Sequence, residues 1–400
     1  MTGSASLAAD TQDRIDRLFT AAFVRLTAAG LAYFTAAGVA IYTLPLFVTG
    51  PVGSDKAGAG IAFGAFAVTA LVLRPFAGLI SDRFGRRPLL VGGAVLCAVS
   101  MALTAHVDSV ASVVALRLAL GVAEAAFFVA SLAALADLAP ASRMGEAVSY
   151  NSLGLYLGLA LGPPLGETLV EGAGFTAAWY GAAALALLAA AIILGLGETR
   201  RSVPGIAQPH NLVHWKAVPP ALGFFASVIA MGGFLAFASL RAEAVGLANA
   251  STPLFVYGAV VVIGRVTFAK VPDRLPSLPL GATALVVIAL GLGVTASWAT
   301  PAGMIAGTAL LALGVTFSTP AFFSAVFATA APSQRGAASG TASAFLDLGL
   351  GGGPILLGLV AQSAGISFAF AVAAGIALAG SAWTMSLGRF LARQGNAATS

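Results

Sequence analysis

The sequence predicts an all-α membrane protein of twelve transmembrane helices, and three observations carry that prediction. Of 400 residues 59% are hydrophobic and 9% charged, with a mean hydropathy of +0.95, where a soluble domain carries about 25% charged residues. Apolar stretches of about 20 residues, enough to cross the hydrocarbon, recur along nearly the whole chain. These stretches are continuous rather than alternating, and a lipid environment leaves every backbone group to be satisfied internally, so they are helices.

Breaks at charges, Pro and Gly place the first six helices at 25–49, 57–82, 88–106, 109–138, 143–170 and 174–198. After a polar stretch from Glu198 to Lys216, the others fall at 217–240, 250–271, 277–298, 301–330, 334–363 and 366–391. The expected organisation is an N-terminal segment over 1–24, a six-helix bundle over 25–198, a linker over 199–216, a second bundle over 217–391 and a tail over 392–400.

Starting inside, the even-numbered loops and the termini hold Arg14, Arg17, Arg25, Arg83, Arg86, Arg87, Arg143, Arg200, Arg201, Lys216, Lys270, Arg274, Arg335, Arg389 and Arg393. The other loops hold only Lys56 and Arg241. Because cytoplasmic loops retain Lys and Arg, both termini are expected in the cytoplasm and the protein in the inner (plasma) membrane. The first 24 residues include Asp10, Asp13, Arg14, Asp16 and Arg17 and lack a short apolar core with a cleavage site, so an uncleaved N-terminus is expected.

The net charge of +5 is spread in short clusters between apolar segments, which reads as topology and excludes a nucleic-acid face. Cys97, the single cysteine, offers neither a disulfide framework nor a metal cluster and reads as packing. His106, His210 and His214 lie near helix ends or in the central loop and receive no role.

Displacing the sequence against itself by 191 residues superposes Arg74 on Arg265, Asp82 on Asp273, Arg83 on Arg274, Pro88 on Pro279, Gly158 on Gly349, and Gly162-Pro163 on Gly353-Pro354. Two six-helix halves therefore share one plan, as in proteins that rock two bundles about a central site.

The run Gly78-Leu79-Ile80-Ser81-Asp82-Arg83-Phe84-Gly85-Arg86-Arg87 closes the second helix in a short loop. It resembles the loop signature of the major facilitator superfamily. Asp82, near a helix N-terminus and paired with Arg, forms a charge latch that holds the halves together in one state and releases in another; the plain reading is a basic stop-transfer cluster. Arg265, Asp273 and Arg274 keep part of the pattern in the second half, while Pro272 and Leu275 depart from it.

Arg117 and Gly121 in the fourth helix resemble that family's motif with a buried arginine, and Glu124, seven residues on, shares the Arg117 face. Ionisable groups at such depth mark a substrate or proton pathway, or else an ion pair between helices. Asp347 sits mid-span in the eleventh helix, at the repeat position of Tyr156. Glu124 and Asp347 are the candidates for proton coupling, with Arg117 resetting Glu124 when substrate leaves; a helix-bridging role is the alternative for Asp347. Gly154, Gly158, Gly162, Pro163 and Gly166 form a small-residue stripe that lets a helix approach closely. It resembles the fifth-helix motif of the family's exporters, with Glu167 where that motif usually ends in Gly. Tyr33, Tyr42, Asn151, Tyr156, Phe234 and Phe317 are candidate substrate contacts at mid-depth.

The resemblance covers residues 25 to 391. It implies two pseudo-symmetric six-helix bundles and a twelve-helix, sugar-efflux-like exporter of a drug or metabolite. Such a protein works by proton antiport and alternating access, as a monomer, with a small-molecule substrate, protons and lipid as its partners. A proton-coupled uptake symporter of the same fold is the alternative. No nucleophile and base, metal cluster or phosphate cradle stands at a usable spacing, so no enzyme, cofactor or metal is expected. A filter loop, the mark of a channel, is likewise missing from the sequence pattern.

Overall fold

The computed structural model describes residues 18–140, 143–200, 214–268, 271–331 and 334–399. The expected N-terminal segment is thus seen from residue 18 and the linker only at its two ends; the charges at 10–17 and His210 lie outside the described residues.

The first half comprises α1 (Ala21–Thr49), α2 (Lys56–Phe84), α3 (Arg86–Thr104), α4 (Val110–Leu138) and α5 (Met144–Leu194). The second comprises α6 (Val218–Ala244), α7 (Thr252–Thr267), the short α8 (Val271–Arg274), α9 (Ser277–Ser297), α10 (Pro301–Ala328), α11 (Arg335–Ala364) and α12 (Ile366–Thr399). The side chains of Thr20, Asp55, Ser109 and Thr300 each accept a backbone N–H three residues on, satisfying donors at helix starts.

At 51 residues α5 would run roughly 76 Å if straight, against a hydrocarbon core of about 30 Å. It turns back on itself at Gly174, whose φ of +82° breaks the helical backbone. Both of its ends return to the start of α1: Gly154 packs on Thr27, and Arg25 Nη1 donates to the Gly195 carbonyl at 2.8 Å. Gly365, 191 residues beyond Gly174, has a φ of +87° and makes the matching turn between α11 and α12. Among the described residues ten helices are long and apolar enough to cross a membrane, with α7 a shorter apolar one. The fold-back of α5 brings the passes to twelve.

The structure departs from the expected boundaries in several places: α1 starts four residues early at Ala21, α6 runs to Ala244, and the span expected over 250–271 ends at Thr267, with the short α8 following it. The fifth and sixth spans meet at one residue, Gly174, instead of a gap over 171–173. The tail expected over 392–400 is helical to Thr399 as part of α12, because Leu391-Ala392-Arg393-Gln394 are helix formers that continue the helix after apolar periodicity ends.

The α5 stripe does what its spacing suggests. Gly158 meets Phe34 and Thr35, Gly162 meets Gly38, and Gly166 meets Tyr42 and Thr43, so the whole stripe lies against α1. In the second half Gly349 and Gly353 lie in the same way against Val228 and Ile229 of α6.

The halves themselves join along two helix pairs. On one side Gly60 and Gly64 of α2 meet Pro354, Gly358 and Gly351 of α11; on the other Gly258 of α7 meets Ala160 of α5. The α2–α11 pairs and the Lys56 N–H, which donates to Gln362 Oε1 at 3.1 Å, all lie in the part of the helices nearest the α1–α2 turn. We call this the sealed end, and the opposite end, with the Arg83, Arg86 and Arg87 cluster, the basic end.

A Cβ at Gly162 would fall on Gly38 Cα and the Thr35 carbonyl oxygen, whereas one at Gly172 meets nothing within 4 Å. Gly162→Val is therefore expected to lower stability by about 1–3 kcal/mol through overpacking, seen as an earlier melting transition in detergent. Gly172→Ala should melt no earlier than the wild type, and equal melting of all three proteins would contradict the packing described.

A charged cavity between the two halves as candidate functional site

A cavity of about 330 Å³ lies between the halves, walled by Phe34, Phe63, Phe66 and Phe128 from the first and by Phe224 and Phe323 from the second. Tyr33, Arg74, Arg117, Glu124 and Tyr156 also line it. Its wall is mainly apolar and aromatic with a few convergent polar groups, the usual make-up of a small-molecule site.

The strongest polar contact at its edge joins the two halves. Arg74 of α2 grips Asp347 of α11 with Nε at 2.8 Å from Oδ2 and Nη2 donating to Oδ1 at 2.8 Å. The carboxylate is 1% exposed and the guanidinium 13%, with the Arg74 guanidinium 4.6 Å from the centre of the Phe128 ring. Such a two-pronged pair has its charge assistance undiluted by water.

The repeat supplies a counterpart. Arg265, the mate of Arg74, donates from Nη2 to the Tyr156 hydroxyl at 2.7 Å and lies 4.2 Å from the centre of the Tyr156 ring; Tyr156 is the mate of Asp347. Each arginine thus crosses to the same position of the opposite half, one meeting a carboxylate and the other a phenol.

Arg117 is 9% exposed and donates to the carbonyl oxygens of Ala62 and Phe63, both at 3.2 Å, over the Phe66 ring. Glu124 sits on the cavity wall with Tyr33 and Cys97. Among the described residues Glu124 has no ion pair with Arg117, whose hydrogen bonds go to α2 instead. Tyr33 stacks on Phe127 with centroids 3.9 Å apart, and its hydroxyl is buried without a hydrogen-bond partner in the described structure.

Of the expected substrate contacts, Tyr33 and Tyr156 line this cavity, while Tyr42 lies at the sealed end. Phe234 is fully buried between Tyr257 and Phe370 inside the second half, because that face of α6 turns toward α12. Phe317 packs against Phe268, and neither it nor Asn151 is on the cavity wall.

At the basic end Asp82 pairs with Arg86, and Arg86 Nε also binds Asp137 Oδ2 at 3.1 Å. Arg200 donates to the carbonyl oxygens of Asp82 and Arg83, and Arg87 to that of Leu194 at 2.6 Å. Gly78 faces Val129 and Gly85 faces Glu198. All these partners belong to the first half or to the start of the linker that follows it. Partial burial alone would raise the pKa of Glu198, but N–H donors of Arg86, Arg200, Arg87 and Thr199 prevail and hold it below the ordinary carboxylate range.

At the sealed end Glu167, 5% exposed, accepts from Ser251 Oγ at 2.6 Å, from the Ser251 N–H at 3.3 Å and from the Tyr42 hydroxyl at 3.4 Å. Ser251 precedes α7, so the side chain that breaks the glycine pattern of α5 ties the halves together. The repeat-equivalent residues Gly358 and Gly60 touch directly.

The sequence profile of the Major Facilitator Superfamily matches residues 26–349. The chain belongs to this superfamily. It is a transporter, not an enzyme. An uncharacterised facilitator-type transporter of Salmonella typhimurium is 28% identical over 371 residues, covering 90% of this chain and 94% of the relative. One from Pseudomonas aeruginosa is 29% identical over 365 residues, covering 88% and 89%. Among solved structures, a nucleoside transporter shares the facilitator fold with a TM-score of 0.75 at 14% identity, over 91% of this chain and 99% of that one. A bacterial homologue of the human lysosomal transporter Spinster, inward-facing and occupied, gives 0.71 at 15% identity over 92% and 96%.

Arg74, Glu167 and Glu198 are contributors to this facilitator's charge network that motif reading passes over. The repeat held the signal for Arg74: both its match to Arg265 and the match of Tyr156 to Asp347 are legible in the sequence. That one pair faces the other across the interface is a fact of three-dimensional placement.

Asp347→Asn leaves the Arg74 guanidinium without its counter-charge and is expected to cost about 3 kcal/mol, with much of the loss recovered in Arg74→Met/Asp347→Leu; a double variant as unstable as the single one would contradict the pairing. For Glu198, the depressed folded pKa means its stabilisation is complete above the unfolded value of about 4.3 and is lost as pH falls through the folded value. The melting difference between wild type and Glu198→Gln should therefore be present at neutral pH and shrink in acid; a difference that grows in acid would reverse the sign.

Proposed function

We propose that the protein exports a small organic solute, a drug or metabolite, in exchange for protons by alternating access. The observation that supports it best is the Arg74–Asp347 pair: a buried carboxylate bonded across the halves to an arginine that lines the cavity. A proton taken up by Asp347 removes the charge that holds Arg74, so protonation and separation of the halves become one event. Glu124, on the cavity wall, is the second proton site, and solute and proton compete for the same space.

The glycine and proline run of α5, which resembles the exporter motif, favours efflux over uptake. Under the positive-inside rule the basic end is cytoplasmic, with both termini inside, the protein in the inner membrane and the cavity closed off from the outside by the sealed end. Residues 25–198 and 217–391 are the two rocking units, joined by 199–216, in a monomer. The Asp82 and Arg86 cluster, which keeps its partners within the first half, is the latch in its released state.

Reconstitution in vesicles with a trapped pH-sensitive dye, followed by a screen of drugs, sugars and small metabolites, tests this reading. Opposite movement of protons and solute is expected, with Glu124→Gln and Asp347→Asn each abolishing pH-driven exchange while inserting normally. Movement in the same direction indicates uptake symport, and exchange that survives both substitutions removes these carboxylates from the coupling.

A further inference from the structure

Five charged side chains stand deep between the ends of the bundle: the guanidinium groups of Arg74, Arg117 and Arg265 against the carboxylates of Glu124 and Asp347. Their sum is one positive charge in excess. Arg74 is neutralised by Asp347, whereas Arg117 has no ion pair with Glu124 among the described residues and spends its donors on the carbonyl oxygens of Ala62 and Phe63. Of the two arginines without a paired carboxylate, Arg265 is the one with a buried donor left over.

The surroundings of Arg265 set it apart from Arg74. Among the described residues its partner is the Tyr156 hydroxyl, a neutral group, and its Nε is buried with no hydrogen bond. The mate of Tyr156 in the other half is Asp347, which gives Arg74 one hydrogen bond, a second close ionic contact and a full counter-charge. Arg265 thus has the posture of Arg74 with the carboxylate left out. Tyr156 lines the cavity, so the unfilled valence of Arg265 is one side chain away from it. A guanidinium with free N–H groups at membrane depth is matched in geometry and charge by a carboxylate or a phosphate-type oxyanion.

We propose that Arg265 selects the substrate: the transported solute carries an anionic head group that takes, at Arg265, the place that Asp347 takes at Arg74, while its apolar body lies among the cavity's phenylalanines. This rests on the transporter reading but not on proton coupling. The Tyr156 hydroxyl serves as a stand-in acceptor that yields when the anion arrives, so Arg265 is neutralised only when the site is loaded.

The test is binding to the full-length protein in detergent, by calorimetry and by the shift in melting temperature. The probes are 2-naphthoate, naphthylphosphonate, the neutral 2-naphthamide and a naphthylmethyl trimethylammonium cation. At least one anion is expected to bind at least about tenfold more tightly than the amide, a difference of about 1.4 kcal/mol; which anion wins distinguishes a carboxylate from a phosphate-type substrate. Arg265→Gln should remove that preference and Arg265→Lys should keep part of it. Tyr156→Asp, which gives Arg265 the carboxylate found at position 347, should abolish anion binding in a folded protein, whereas Tyr156→Phe should retain it. If Arg265 and Tyr156 form only a structural link, Tyr156→Phe will behave like Arg265→Gln. That result, failure of both anions to bind, or tighter binding of the amide or the cation overturns the proposal. Anion binding in a protein that moves no protons would instead leave the proposal standing and remove the antiport reading.

Discussion

The structure turns on the cost of an ionic group in hydrocarbon. A guanidinium or carboxylate at membrane depth costs several kcal/mol unless it is paired or hydrated, and here the pairing is arranged across the plane where the halves meet. Arg74 and Asp347 belong to different bundles, so separating the halves around them means leaving two charges bare. Under the proposed coupling, a single proton on Asp347 changes the balance between joined and separated halves, which gives a small ion leverage over a large motion.

Around that pair the helices pack by removal of side chains. Lipid supplies little hydrophobic drive between helices, so close backbone approach does the work. The glycines of α5 admit α1, and those of α2 and α11 admit each other. The internal repeat makes these contacts nearly symmetric, and departures from symmetry are where the chemistry sits. Asp347 stands opposite Tyr156 in the repeat, and the Glu167–Ser251 bond opposite the Gly358–Gly60 contact. Packing is duplicated between the halves; charge is not.

Much of this was legible in the residues. The span order, the twofold plan and the role of the α5 glycines follow from apolar run length, from the 191-residue displacement and from four-residue spacing. Depth and polarity pointed to Tyr33 and Tyr156, and the fourth-helix motif with its seven-residue spacing to Arg117 and Glu124; all four line the cavity. What failed was facing. Phe234 and Phe317 have the right depth and the wrong azimuth, since helices apolar all round leave no polar stripe to orient them. Arg74 was visible as a repeat match, but only the crossing of α2 with α11 makes it a partner of Asp347. The charge network around Glu198 depends on backbone N–H groups at a helix start, which no residue pattern encodes.

The most direct test of the coupling is the distance between spin labels placed on the two halves at the sealed end, followed from neutral to mildly acidic pH in wild type and in Asp347→Asn. Acid should populate a longer distance in the wild type, and Asp347→Asn should show that longer distance already at neutral pH. A distribution unchanged by both acid and the substitution would mean that the Arg74–Asp347 pair does not hold the halves together, and that proton coupling does not run through it.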